Sequence, residues 1–125
     1  MTHLFICLVV DNAGQPLGHP FPARKREDEL VSEIAVTIKE ERVDILAKDP
    51  ASLLNLWKPD PFLPASPRSE LPSRVEAMFL NVKENGLGAV LLDSIAPLGH
   101  SFSLHQPLPL YHIHIIAQLP PPTSK

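Results

Sequence analysis

Hydrophobic and polar positions divide the chain into short apolar blocks separated by turn chemistry. The first block, Leu4-Phe5-Ile6-Cys7-Leu8-Val9-Val10, carries no charge and closes on Asp11-Asn12-Ala13-Gly14. Strict alternation would mark a strand with one wet face, whereas an unbroken run is apolar on both faces and asks for cover on each. Its length is that of a strand, and it is far too short for a membrane span. The pattern therefore predicts a buried central strand over 4–10.

The next segment, Gln15 to Arg24, contains Pro16, Pro20 and Pro22. Proline cannot donate to a ladder, so this is a short, irregular edge partner of the first strand. Arg24-Lys25-Arg26 then runs into Glu27-Asp28-Glu29, read as a solvated basic loop ahead of an acidic helix start with Asp28 as cap. Leu30, Ile34 and Ile38 repeat at i, i+4 and i+8 beside Val31 and Ala35, which predicts a helix over 28–42. Ile45 to Pro50 reads as a turn, and Leu53 to Lys58 as a strand stopped by Pro59.

Pro59, Pro61, Pro64, Pro67 and Pro72 predict a coil draped over the surface. Ser73 and Glu76 form a capping-box pattern ahead of Val75, Met78, Phe79 and Val82, so a second helix is expected over 73–84, stopped by Gly86-Leu87-Gly88. Ala89–Leu92 is a short strand or turn and Ala96–Pro109 a loop. The last strand, Tyr111 to Gln118, alternates so that Ile113, Ile115 and Ala117 share one side and His112, His114 and Ile116 the other.

Composition narrows the function classes. A chain of 125 residues fits one domain and buries roughly 65% of its unfolded surface, enough for a core without staples. The single cysteine, Cys7, lies inside the apolar run and has no disulfide partner in the chain, so the fold does not depend on an oxidising compartment. A net charge of −3 argues against a nucleic-acid module, which needs a basic face. Met1-Thr2-His3 supplies no basic n-region, so no signal peptide is evident.

Motifs for catalysis and cofactors are incomplete. His112 and His114 share one face of a strand with His100 and His105 nearby in sequence, but zinc also needs thiolates or carboxylates at suitable spacing, and alternating polar positions account for the pair. Gly86-Leu87-Gly88 lacks the remaining residues of a phosphate loop. There is no G-x-S-x-G elbow, and Cys7 sits in a buried run rather than beside a base. The expectation is a non-enzyme with no catalytic residue, no cofactor and no metal.

The element order resembles the β-grasp, in which first and last strands pair in parallel beside a long helix. Three strings sharpen this: Leu4 to Val9, Leu54-Asn55-Leu56-Trp57-Lys58, and Ile113-His114-Ile115-Ile116-Ala117-Gln118-Leu119-Pro120. Together they resemble the ubiquitin-like N-terminal header of Crinkler effectors, which often reads L-x-L-W-K and I-H-I-I-V-Q-x-P there. In oomycete members the middle string is L-F-L-A-K, which places the family motif on Leu54, Leu56, Trp57 and Lys58, with Leu54, Leu56 and Lys58 at its first, third and fifth positions. Leu46-Ala47-Lys48 matches only superficially. The resemblance implies an α+β ubiquitin-like fold, a mixed sheet with a long crossing helix, a proline-rich insertion and a second short helix. A Crinkler-type header domain would span 1–119, followed by a proline-rich tail over 120–125.

The resemblance also implies a module that acts through a protein partner during delivery into a host cell, secreted by a non-evident signal and joined to a C-terminal effector domain in a longer protein. The sequence ends six residues after Leu119, so the expectation is a Crinkler-type module without its cargo or a stand-alone homologue. A second reading stands beside it: a small ubiquitin-like adaptor of the cytoplasm with no delivery role. Neither involves nucleic acid or a membrane span. Strand parity sets Leu54 and Leu56 toward the helix and leaves Asn55, Trp57, His114 and Ile116 as a candidate partner surface. Alternatively the proline-rich coil or the second helix covers these four as a second core.

Overall fold

The structure is a computed structural model, and it describes residues 2–46, 54–60, 62–64, 68–85, 88–102 and 111–119. In chain order the elements are β1 (Thr2–Val10), β2 (Phe21–Arg26), α1 (Val31–Glu41), α2 (Val43–Leu46), β3 (Asn55–Asp60) and β4 (Leu63–Pro64). A 3-10 turn (Arg68–Glu70) then leads into α3 (Leu71–Asn85), β5 (Gly88–Leu91), α4 (Leu98–Ser101), β6 (His112–Ile113) and β7 (Ile115–Gln118). The fold is mixed α+β. Its main sheet has the order β2-β1-β7-β3-β5, and β4 and β6 form a separate two-stranded ribbon.

β1 pairs in parallel with β7, Cys7 opposite Ile115 and Val10 opposite Gln118, and antiparallel with β2. The first apolar run is thus an interior strand, although the middle place belongs to β7. Cover on both faces follows from its alternation. Phe5, Cys7 and Val9 pack with Val31, Ile34, Ala35 and Ile38 of α1, together with Leu98 and Phe102. Leu8 and Val10 pack on the opposite face with Leu71, Val75 and Met78 of α3. Two helices on opposite faces explain why the run tolerates no polar residue.

The β1–β2 connection is fixed by Asp11, whose Oδ1 accepts from the Ala13 and Gln15 amides, each at 2.9 Å. Gly14 follows at φ +89, and a Cβ there would meet the Phe79 ring at 3.0 Å, so both backbone and space select glycine. The basic triplet Arg24-Lys25-Arg26 is not a loop: it closes the edge strand β2, with Lys25 paired to Glu29 and Arg26 to Asp28. Pro22 sits opposite Ile6 on that edge.

α1 is 11 residues long rather than the expected 28–42, Asp28 is not its cap, and the residue at the N-cap offers no side-chain acceptor to the first turn. Leu30 is the N-cap residue, its amide donating to the Glu33 carboxylate at 3.2 Å. Two amides of the first turn donate instead to backbone carbonyls of another segment, Val31 to Ala96 at 3.0 Å and Ser32 to Ser94 at 2.9 Å. A helix start without these acceptors would leave orphan donors. Within the expected loop 96–109, α4 forms one turn, and its Gly99 amide donates to the Glu27 carbonyl. Residues 103–110 lie outside the described residues, as do 47–53, Gly86-Leu87 and 120–125.

β3 runs through Pro59 instead of stopping before it. The Leu92 amide donates to the Leu56 carbonyl, which turns the backbone groups of 56, 58 and 60 toward β5 and those of 57 and 59 toward β7. β7 begins only at Ile115, so Pro59 omits its donor where that strand has ended. The proline-rich segment is likewise not all coil, since β4 and the 3-10 turn form within it. α3 starts at Leu71, so Ser73 and Glu76 lie inside the helix and are not its capping box.

Candidate protein-binding groove

The motif residues Leu54, Leu56, Trp57 and Lys58 have divided roles. Leu54 and Leu56 are buried in the α1-side core, as parity requires. Trp57 is half-buried on the other face, where its ring meets Phe79 of α3 edge-on at 5.5 Å. Its Nε1 donates to Gln118 Oε1 at 3.0 Å, and Gln118 Nε2 donates to the Asn12 carbonyl at 3.1 Å. Lys58 extends its ammonium over Phe62 and Phe102, 5.9 and 5.4 Å from the ring centroids.

The candidate surface of Asn55, Trp57, His114 and Ile116 does not form. Ile116 is fully buried against Leu8 and α3, and His114 is 2% exposed. The physical reason is α3, whose stripe Leu71, Val75 and Met78 lies over that face as a second core. Parity on the last strand also fails at one residue. His114 separates β6 from β7, so Ile113 joins the α3-side core while Ile115 and Ala117 join the α1-side core. Of the four, only Asn55 is exposed, and it belongs to a different feature.

That feature is an open groove of about 370 Å³ between α1 and the β3–β5 end of the sheet. Val31, Ala35 and Val36 line it from the helix and Leu54, Asn55 and Leu56 from β3. Leu91, Leu92, Asp93 and Ser94 complete it from β5 and the turn that follows. Val36 and Leu91 are about half exposed, at 49% and 54%. Alongside runs the outer edge of β5. Because residues 88, 90 and 92 turn their backbone groups toward β3, the N–H and C=O of Ala89 and Leu91 point outward. Among the described residues no strand pairs with that edge.

Two signals for the groove were present in the sequence. Val36 is an apolar residue off the 30, 34, 38 stripe, and Val90-Leu91-Leu92 is apolar at both parities. The chemistry at the groove is that of contact: backbone donors and acceptors beside an apolar trough, rimmed by the Asp93 carboxylate, whose Oδ1 accepts from the Ile95 amide at 3.1 Å. Cys7 is fully buried, and desolvation pushes its thiol far above the ordinary range, which favours the neutral thiol.

Among the described residues no three His, Cys, Asp or Glu side chains are grouped to hold a metal ion, and no helix is long and apolar enough to cross a membrane. In comparisons with known proteins, the chain matches no family model, no curated protein and no solved structure.

Proposed function

We propose that the chain is a non-catalytic ubiquitin-like module of the Crinkler N-terminal type, which acts by holding an extended segment of a protein partner in the groove between α1 and β5. What supports the β-grasp reading is the hairpin β1–β2, the parallel pairing of β1 with β7 and the packing of α1 on one face. The observation that carries the function is the coincidence of an apolar groove with a strand edge whose Ala89 and Leu91 backbone groups face outward. Strand addition uses such an edge for main-chain hydrogen bonds and the adjoining pocket for alternate side chains. The face on which α3 packs is closed to this role.

The test is a selection of linear peptides displayed on phage against immobilised 1–125. Enriched peptides should lose binding to the Val36→Glu variant while that variant keeps the parent melting temperature, since the position is half exposed. Binding unchanged by this substitution would remove the groove from the proposal, and an empty selection would remove the peptide-binding role. A fluorescent reporter joined after Lys125 separates delivery from the cytoplasmic adaptor role: reporter accumulation in recipient cells supports delivery, and its exclusion supports the adaptor.

A further inference from the structure

His114 is the buried polar residue at the point where the last strand changes face, between β6 and β7. It is bonded twice to one residue of β1: its amide donates to the Ile6 carbonyl at 2.9 Å, and its ring Nδ1 accepts from the Ile6 amide at 2.9 Å. The side chain therefore takes the place of a backbone carbonyl in the β1 ladder. That role requires an Nδ1 lone pair, so the neutral ring carries its proton on Nε2. A Phe62 ring closes on the imidazole edge-on at 5.0 Å, and the Lys58 ammonium lies 5.9 Å from the centre of that same ring.

We propose that His114 is an acid-sensitive latch holding β1 to the β6–β7 junction. A proton taken up at Nδ1 turns the acceptor into a donor that faces the Ile6 N–H, and two donors repel. It also adds a second cation beside the aromatic cluster that Lys58 already occupies. Among the described residues, the titratable or charged groups on the surrounding strands are His3 and Cys7 of β1, Lys58 of β3 and His112 of β6. Cys7 stays neutral through the acid range. Opening at this point parts β1 from the strand that joins the main sheet to the β4–β6 ribbon, and so uncovers Ile6 and Ile113 on the α3 side.

The sign follows from proton counts. An opened junction lets His114 bind a proton below about pH 6.5, while the closed junction excludes it, so acid favours opening. The experiment is amide exchange at Ile6 in the full chain, expressed as a protection factor to remove the intrinsic pH dependence. Protection should fall up to about tenfold per pH unit below about pH 6.5. His114→Asn keeps an acceptor at the Nδ1 position and cannot titrate, so its protection should be flat with pH. An equal pH slope in both proteins overturns the latch. Should His114→Asn fail to fold, nitrogen shifts of the wild-type imidazole decide: a bare Nδ1 at neutral pH supports the latch, and a protonated Nδ1 beside an intact Ile6 amide bond overturns it.

Discussion

Trp57 and Gln118 are joined side chain to side chain across β3 and β7, the indole Nε1 donating to the amide Oε1 at 3.0 Å. Because Gln118 passes the contact on to the Asn12 carbonyl, one bond chain runs from β3 over β7 to the β1–β2 turn. The Trp is therefore structural: its ring fills the space against Phe79, and its polar tip ties three elements together. Trp57→Ala should cost about 3 kcal/mol by denaturant titration. Trp57→Phe keeps the packing and loses the bond, so it should cost about 1 kcal/mol. A neutral alanine variant would return Trp57 to the surface.

Ile34 is fully buried and belongs to the same core as Phe5, Cys7 and Phe102. Ile34→Ala should cost about 2–5 kcal/mol as the truncation of a fully buried core residue. A loss under about half a kcal/mol would mean that α1 docks elsewhere.

The elements that rest on local pattern were legible in the sequence. β1 was, because an uncharged run of that length has few other solutions, whereas its parallel pairing with the last strand was expected from the resemblance to the β-grasp and not from local pattern. The stripe of Ile34 and Ile38 located α1. Its start was not legible, because the acceptors that serve Val31 and Ser32 come from Ser94 and Ala96, a turn distant in sequence that no local rule can see. The candidate surface failed because α3, far away in sequence, packs over that face, and the parity of the last strand broke for a separate reason. Parity carries through a strand only while the ladder is regular, and at His114 a side chain replaces a backbone partner, so Ile113 and Ile115 fall on opposite faces. The groove was hidden because Val36 and Leu91 show only as apolar residues off pattern.

Cys7 gives a pH dependence of known sign. Burial holds the thiol neutral in the folded chain, while in the unfolded chain it ionises at about pH 8.5. Above that pH the unfolded state has released a proton that the folded state keeps, so stability falls as pH rises. The slope attributable to Cys7 approaches about 1.4 kcal/mol per pH unit. Denaturant titrations on the alkaline side of that value should show this extra slope in the parent and not in Cys7→Ala. Thiol reagents should also modify the folded chain only at the rate of its opening.

The start of α1 is held from a distance. Asp93 fixes its turn by accepting from the Ile95 amide with Oδ1, while its own carbonyl accepts from Ala96 at 3.0 Å. That turn presents the Ser94 and Ala96 carbonyls to the Ser32 and Val31 amides, in the place a side-chain cap would occupy. Asp93→Ala should therefore act on the helix without touching it, costing about 1 kcal/mol. Asp93→Asn keeps the acceptor and should cost much less. Exchange of the Val31 and Ser32 amides gives the readout: both should lose protection in Asp93→Ala and keep it in Asp93→Asn. Equal protection in the two variants would mean that the turn is held by the bonds on either side of it, from the Leu92 amide to the Leu56 carbonyl and from the Leu98 amide to the Glu29 carbonyl, both at 2.8 Å.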